Sequence, residues 1–315
     1  MYKQKLVILT GPTAVGKTKL SIELAKRIGG EIISADSMQV YKLMDIGTAK
    51  IREEEMDGVP HHLIDILDPK DEFDVFSFQK LAKEAIEDIA SRGKVPIIVG
   101  GTGFYIQAIL YDIDFTETED EDDGYRALLE KRAKEEGVHV LHEELKAVDP
   151  ESAEIIHENN SKRVIRALEY YHKTGKPISL HNKEQHERTS PYDFRYFVLT
   201  DDRKKLYSRI DQRVDQMIDE GLLDEVKSLV KLDVPLSSTA AKAIGYREMF
   251  DYLDGITDLD RAIYLIKQNT RHFAKRQLTW FRREKEVIWL DKSKFGYDDE
   301  LILKEMIRIY EEGNL

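Results

Sequence analysis

The residues best suited to chemistry come first in the chain. Gly11-Pro-Thr-Ala-Val-Gly16-Lys17-Thr18 fits the spacing G-x-x-x-x-G-K-[ST] in full. Glycines let such a loop curl until several N–H groups point inward. The helix that follows turns its positive end to the same spot, the lysine adds a full charge, and the hydroxyl offers a ligand to Mg²⁺. Gly11, Thr13, Ala14, Val15, Gly16, Lys17 and Thr18 are therefore the candidate phosphate-binding residues. An apolar run over residues 5–10 leads into the loop. A helical pattern with Leu20, Leu24 and Ile28 on one face leaves it and stops at Gly29-Gly30. This strand–loop–helix context suits a phosphate cradle but does not name the owner of the phosphate.

A carboxylate is the second candidate. Asp36, with Ser37, Met38 and Gln39, follows a short strand at residues 31–35. In a doubly wound sheet the carboxyl ends of neighbouring strands share one crevice, which brings Asp36 toward Lys17 and Thr18. There it would either help to hold Mg²⁺ or take a proton from an attacking group. Ser37 and Gln39 carry donors and acceptors that suit a base edge. A third corner, Gly100-Gly101-Thr102-Gly103, ends another apolar strand at residues 95–99. A nucleotide hydrolase would add an apolar strand ending in aspartate. Only Ile64-Asp65 and Ile66-Leu67-Asp68 come near that pattern. His61-His62 has no partners at metal-ligand spacing and reads as structural.

The elements that must carry these groups alternate between strand and helix. After the helix at 17–28, a third strand is expected at 62–66, an amphipathic helix at 76–92 closed by Gly93, and a helix from 104. Such alternation predicts an α/β fold, a parallel sheet flanked by helices. The pattern changes at Asp112. Residues 112–195 read as a helical insertion with breaks at Gly137, Pro150 and Gly175-Lys-Pro177. Residues 1–111 and 196–315 then form one discontinuous core, with strands at 196–200 and 287–290, long helices between them, and a last helix from 298.

Composition bounds the answer. The chain has 315 residues, 41% of them hydrophobic, so a sizeable core can form. With no cysteine there is no disulfide, cysteine–zinc site or thiol nucleophile. No apolar run is long enough to span a membrane and the N-terminus does not read as a signal peptide, so a cytoplasmic protein is expected. The net charge of −12 argues weakly against a polyanionic partner, but the charge is uneven. Residues 112–123 hold eight acids and no bases, and read as a solvated loop. Residues 261–285 hold eight bases and one acid. A basic cleft on an acidic body fits this polarity. On the residues alone, two readings stay open: a small-molecule or nucleotide kinase with ATP as donor, and a P-loop RNA-binding regulator. The kinase leaves the long basic C-terminal helices unexplained.

Taken together, GPTAVGKT, SADSMQVYKLMDIGTAK, VPHHLID, VGGTGFY, KRVIRALEYY, AIGYRE and AKRQLTWFR resemble the motifs of the bacterial tRNA dimethylallyltransferases, also called tRNA isopentenyltransferases. Order and spacing match from Leu6 to about Leu290. The resemblance implies a P-loop NTPase-like sheet with an inserted helical domain that binds the anticodon stem-loop. It implies transfer of a dimethylallyl group from its diphosphate to N6 of adenosine 37 of tRNA. The loop would then hold the departing diphosphate with Mg²⁺ on Thr18, and the thin Walker B signal would follow. Asp36 resembles the family's general base, and an arginine of the helix at 206–220, Arg209 or Arg213, would reach the phosphates. Ser37, Met38, Gln39 and Thr102 would read a flipped base. Arg126, Lys162, Arg163 and Arg166 are the candidates for the stem-loop, and Arg271, Lys275, Arg276, Arg282 and Arg283 for the tRNA side of the core. AIGYRE would help to close the core. Because no Cys/His element follows the last strand, the resemblance is to the monomeric bacterial type.

Overall fold

The computed structural model describes residues 3–115 and 124–312. Most of the acidic run read as a loop, residues 116–123, lies outside the described residues. The chain divides into two compact units, residues 1–109 with 192–315, and residues 110–191.

The first unit is built on one sheet. Its strands are β1 (Gln4–Thr10), β2 (Gly30–Ala35), β3 (His61–His62), β4 (Val95–Gly100), β5 (Tyr192–Thr200) and β6 (Val287–Asp291). They lie in the order β3-β2-β4-β1-β5-β6, and every pairing is parallel. Strands covered on both faces must be apolar along their length. Val7, Ile8 and Leu9 of β1, Ile97 and Ile98 of β4, and Phe197, Val198 and Leu199 of β5 are all buried. On one face, α1 (Lys17–Ile28) sets Leu20, Leu24 and Ala25 against Val7, Leu9 and Ile97. Leu303 and Met306 of α13 (Asp299–Glu312) join the same core. α2 (Val75–Ser91) begins where the Asp74 side chain accepts the Ser77 N–H, and it buries Phe78, Ala82, Ile86 and Ile89. α3 (Gly103–Leu110) follows β4. After β5 come α9 (Arg203–Asp219), α10 (Leu222–Lys231), α11 (Tyr246–Leu253) and α12 (Leu259–Phe281). α12 packs on α9 and α11.

Two elements depart from the sequence reading. The third strand pairs over two residues rather than five, because the backbone turns left-handed at Leu63 and Asp65 and leaves the ladder. The segment beyond folds back instead, with Asp65 and Ile66 donating to the Gln39 and Val40 carbonyls. β5 starts at Tyr192, four residues before the expected strand. Residues 192–195 pair with 4–7 but are only half-buried, so their mixed composition hid them.

The second unit holds α4 (Tyr125–Glu135), α5 (Val138–Val148), α6 (Pro150–Ile155), α7 (Ser161–Thr174) and α8 (Ile178–Glu187). Leu129, Leu141, Leu145, Val164 and Leu168 form its core. The buried Asp149 caps α6 by accepting the Ser152 N–H at 3.0 Å. It also takes the Ser179 N–H of α8 at 2.9 Å, tying the two helices together. Among the described residues, no helix is long and apolar enough to cross a membrane.

One ion pair staples the sheet edge. Glu31 of β2, nearly buried, accepts both terminal nitrogens of Arg92 just beyond α2 and lies 2.8 Å from His62 Nε2 of β3. The Arg92 hydrogen bonds hold its carboxyl down at about 2, against an ordinary 4.5. A depressed carboxylate contributes stability above its unfolded pKa and loses it as pH falls through its folded one. Arg92 is half exposed, so solvent screens part of the effect. Glu31→Gln is expected to cost on the order of 1–2 kcal/mol at neutral pH. In urea unfolding the gap to the unsubstituted protein should close as pH falls from about 4.5 toward about 2.

Candidate active site

The phosphate loop joins β1 to α1. Gly11 has φ +146°, and a Cβ there would lie 2.3 Å from the Leu199 carbonyl oxygen, so only glycine lets β1 turn into the loop beside β5. Val15 is buried in the core and anchors the loop, while Gly16 caps α1 in a left-handed conformation. Lys17 is partly exposed as a residue, but its ammonium group turns under the loop. Its Nζ donates to the Gly11 and Pro12 carbonyls, both at 2.9 Å. Burial of that head lowers its pKa to about 8. The charge of Arg213 pushes the same way and Asp36 opposes it. Thr18 is exposed in the first turn of α1.

β4 lies between β1 and β2, so the three candidate corners line up in the order phosphate loop, Thr102, Asp36. The turn after β2 is set by Asp36 itself, whose Oδ1 accepts the Met38 N–H at 2.9 Å. The Thr102 N–H donates to the Ala35 carbonyl at 3.3 Å, holding β4's glycine corner against that turn.

These corners face a cavity of about 330 Å³. Thr13, Ala14, Asp36, Ser37, Met38, Thr102, Arg213 and Arg276 line it. So do the apolar side chains of Ile210, Val214, Met217, Ile244, Ile266 and Phe273. The AIGYRE segment contributes Ala243 to Tyr246 to the wall. The wall is thus mostly apolar, with cationic, hydroxyl and carboxylate groups set into it. Burial also lowers the pKa of Arg213, against the opposing pull of Asp36, Glu220 and Glu55. Arginine stays protonated regardless.

Some expected site residues point elsewhere. Arg209, one turn before Arg213 on α9, donates through Nε to the Ala14 carbonyl at 3.0 Å and pairs with the buried Asp201 at 2.5 Å. It braces the loop and does not line the cavity; of the two arginines, Arg213 does. The Gln39 amide donates to the Thr48 and Ala49 carbonyls at 3.3 and 3.4 Å and is not part of the wall. On α12, Arg271 is paired with Asp211, and Lys275 is exposed, as is Arg282 just beyond the helix. In the second unit, Arg126 and Arg166 share the carboxylate of Glu169 at 2.8 and 3.3 Å, while Lys162 and Arg163 are exposed at the start of α7.

Three residues that organise the site escaped the sequence reading. Glu225 of α10 accepts the N–H groups of Asp45, Ile46 and Gly47 at 2.8 to 3.0 Å and the Tyr246 hydroxyl at 2.6 Å. The buried Lys50 ties the Tyr41 carbonyl to Asp45 and Asp65. Gln277 of α12 bridges Thr13 and Gly101. Lys50 lies inside the SADSMQVYKLMDIGTAK motif, but nothing in that motif marks it. The backbone partners of Glu225 and Gln277 are 176 to 264 positions away.

Sheet, phosphate loop and flanking helices together make this a P-loop NTPase-like protein. More narrowly, the chain belongs to the IPP transferase family, whose pattern matches residues 39–284. It is 59% identical over 312 residues to a tRNA dimethylallyltransferase of Lachnoclostridium phytofermentans, covering 99% of both chains. Its structure is similar to that of the full-length tRNA isopentenylpyrophosphate transferase of Bacillus halodurans, with a TM-score of 0.74 and 48% identity over 99% of this chain and 98% of that one. It is also similar to a eukaryotic dimethylallyltransferase acting on tRNA, with a TM-score of 0.80 and 34% identity over 91% of this chain and 74% of that one.

A lysine with a pKa near 8 makes anion binding pH-dependent. Affinity for inorganic diphosphate, followed by calorimetry, should fall as pH rises through about 8 and Lys17 loses its proton. Lys17→Met should bind about 10- to 100-fold more weakly, the value of one charge-assisted contact. Its titration should lack the wild-type inflection.

Proposed function

We propose that the chain transfers a dimethylallyl group from dimethylallyl diphosphate to the N6 amine of adenosine 37 of tRNA, beside the anticodon, and releases diphosphate. The carrying observation is the cavity itself: a phosphate loop opens onto a mostly apolar chamber with a carboxylate across it, two strands away. An ATP-dependent kinase would want a polar nucleoside seat and a Walker B aspartate. The wall here is mostly apolar, and Asp65, from the thin Walker B signal, is spent on Lys50.

The reaction breaks the bond from donor C1 to the diphosphate oxygen, and the electron pair leaves with the diphosphate. The Thr13 hydroxyl, the Ala14 and Gly16 N–H groups, the ammonium of Lys17 and the guanidinium of Arg213 would take up that charge. The amine of adenine is a poor nucleophile, because its lone pair is drawn into the ring. Asp36 would accept its proton as the N6–C1 bond forms. The adenosine would first leave its stack, with Ser37, Met38 and Thr102 around the extruded base. The apolar wall keeps water from the allylic carbon.

Mg²⁺ fits the residues present. On a diphosphate the ion takes most ligands from phosphate oxygens and water, so one hydroxyl at the loop's end, Thr18, is the protein donor expected. Among the described residues no cluster of three or more carboxylates or histidines makes a separate metal site. When bound, the ion would neutralise charge on the leaving diphosphate. The second unit would hold the anticodon stem-loop through Lys162 and Arg163, with Arg126 and Arg166 as further contacts, and Arg276 would serve the core. The enzyme is read as a cytoplasmic monomer.

The direct test is incubation with labelled dimethylallyl diphosphate, Mg²⁺ and an unmodified anticodon stem-loop. Label should enter the RNA; label recovered only as unreacted donor would sink the reading. Asp36→Ala should slow transfer by about 10²- to 10⁴-fold while leaving diphosphate binding in place. Arg163→Ala should raise KM for the stem-loop and spare KM for the donor, and a donor defect would remove Arg163 from the RNA-binding set.

A further inference from the structure

Gln277 lies four residues from the end of α12 and is 5% exposed. Its side-chain oxygen Oε1 accepts the Thr13 N–H at 2.9 Å, and its Nε2 donates to the Gly101 carbonyl at 3.0 Å. The next residue, Thr102, donates its own N–H to the carbonyl of Ala35, which precedes Asp36. One amide thus links the phosphate loop, the Thr102 corner and the turn that carries Asp36.

The site admits little else. A Cβ on Gly101 would sit 2.1 Å from Nε2, so glycine there is the space the amide occupies. The position needs an acceptor on one side and a donor on the other, which a carboxamide supplies. A carboxylate would set a second acceptor against the Gly101 oxygen. A hydrocarbon would leave two backbone groups in the interior without partners. Phe273 and Arg276 on the same helix line the cavity, so the amide also fixes where their turn of α12 stands.

The geometry points to Gln277 as a positioning residue for the group transfer. It touches neither substrate, and it holds the loop that grips the donor in register with the residues that receive the acceptor. This rests on the dimethylallyltransferase reading. In register, donor C1 leaves its diphosphate oxygen and bonds to N6, and the N6 proton passes to Asp36. Out of register, water captures C1. A carbon–oxygen bond to water then forms, its proton goes to solvent, and dimethylallyl alcohol appears beside free diphosphate. The ratio of prenylated RNA to alcohol therefore reports alignment, and it does not depend on how much of the protein is folded.

Single-turnover reactions with labelled dimethylallyl diphosphate, Mg²⁺ and an anticodon stem-loop test this in the wild-type protein, Gln277→Glu and Gly101→Ala. The second variant drives a methyl into the same amide from the other side. Both variants should transfer about 10- to 100-fold more slowly at saturating substrates, the cost of a small misplacement. Both should also divert a larger share of donor to alcohol, with KM for each substrate little changed. A wild-type product ratio in both variants, with any lost rate matching lost folded protein in thermal melts, overturns the inference. Unfolding of both variants overturns it too, since Gln277 would then serve the fold alone. A wild-type protein that prenylates nothing brings down the functional reading, and the inference with it, an outcome told apart by the wild-type arm.

Discussion

The cationic heads of Lys17, under the phosphate loop, and of Arg213, in the cavity wall, are withdrawn from water near a single carboxylate, Asp36, and the other features of the site answer to that imbalance. Burial works against both positive charges, and Arg213 further lowers the hold of Lys17 on its proton. Lys17 rests on two loop carbonyls, and the loop's remaining amides add partial positive charge at the start of α1. A site prepared in this way gains most from a group whose negative charge grows during reaction, since the protein has already borne the cost of orienting its dipoles. A leaving diphosphate is such a group.

The sheet order makes the imbalance useful. With β4 between β1 and β2, the carboxylate stands two strands from the phosphate loop, and a glycine corner fills the gap. The two ends of a transfer, leaving group and proton acceptor, are thereby separated by about the width of two strand spacings, roughly 10 Å. The helices after β5 then close an apolar wall over the interval. α9 contributes Ile210, Arg213 and Val214, and α12 contributes Ile266, Phe273 and Arg276, so each helix brings both apolar surface and charge. Side chains that never enter the cavity hold this arrangement. Glu225 gathers three backbone N–H groups of the 45–47 turn, Arg209 braces the phosphate loop on the buried Asp201, and Lys50 ties the segment after β2 together.

Much of this was legible in the residues because it is local. α1 runs from Lys17 to Ile28, as its apolar spacing and the glycines at its ends require. The buried strands β1, β2 and β4 announced themselves as short β-branched runs, since a strand covered on both faces has no polar side to show. Elements without such a signature were misjudged. The half-buried start of β5 read as insertion, and β3 was drawn too long because a left-handed turn at Leu63 leaves no mark in an apolar stretch.

The sequence by itself determined the chemistry available: a loop that must bind phosphate, a carboxylate after the second strand, and a family likeness running through seven motifs. Only the tertiary structure decided which groups meet. Arg209 and Arg213 share one face of their helix, and the difference between them is Asp201, placed by the end of β5. Gln39 and Thr102 both looked able to face a base, yet the backbone at Thr48 and Ala49 claims the first and the cavity takes the second. Gln277 is an ordinary polar residue on an amphipathic helix until the fold brings Thr13 and Gly101 to its two ends. Propensity and periodicity act over a few residues, whereas a hydrogen bond across hundreds of positions exists only once the strands have chosen their neighbours.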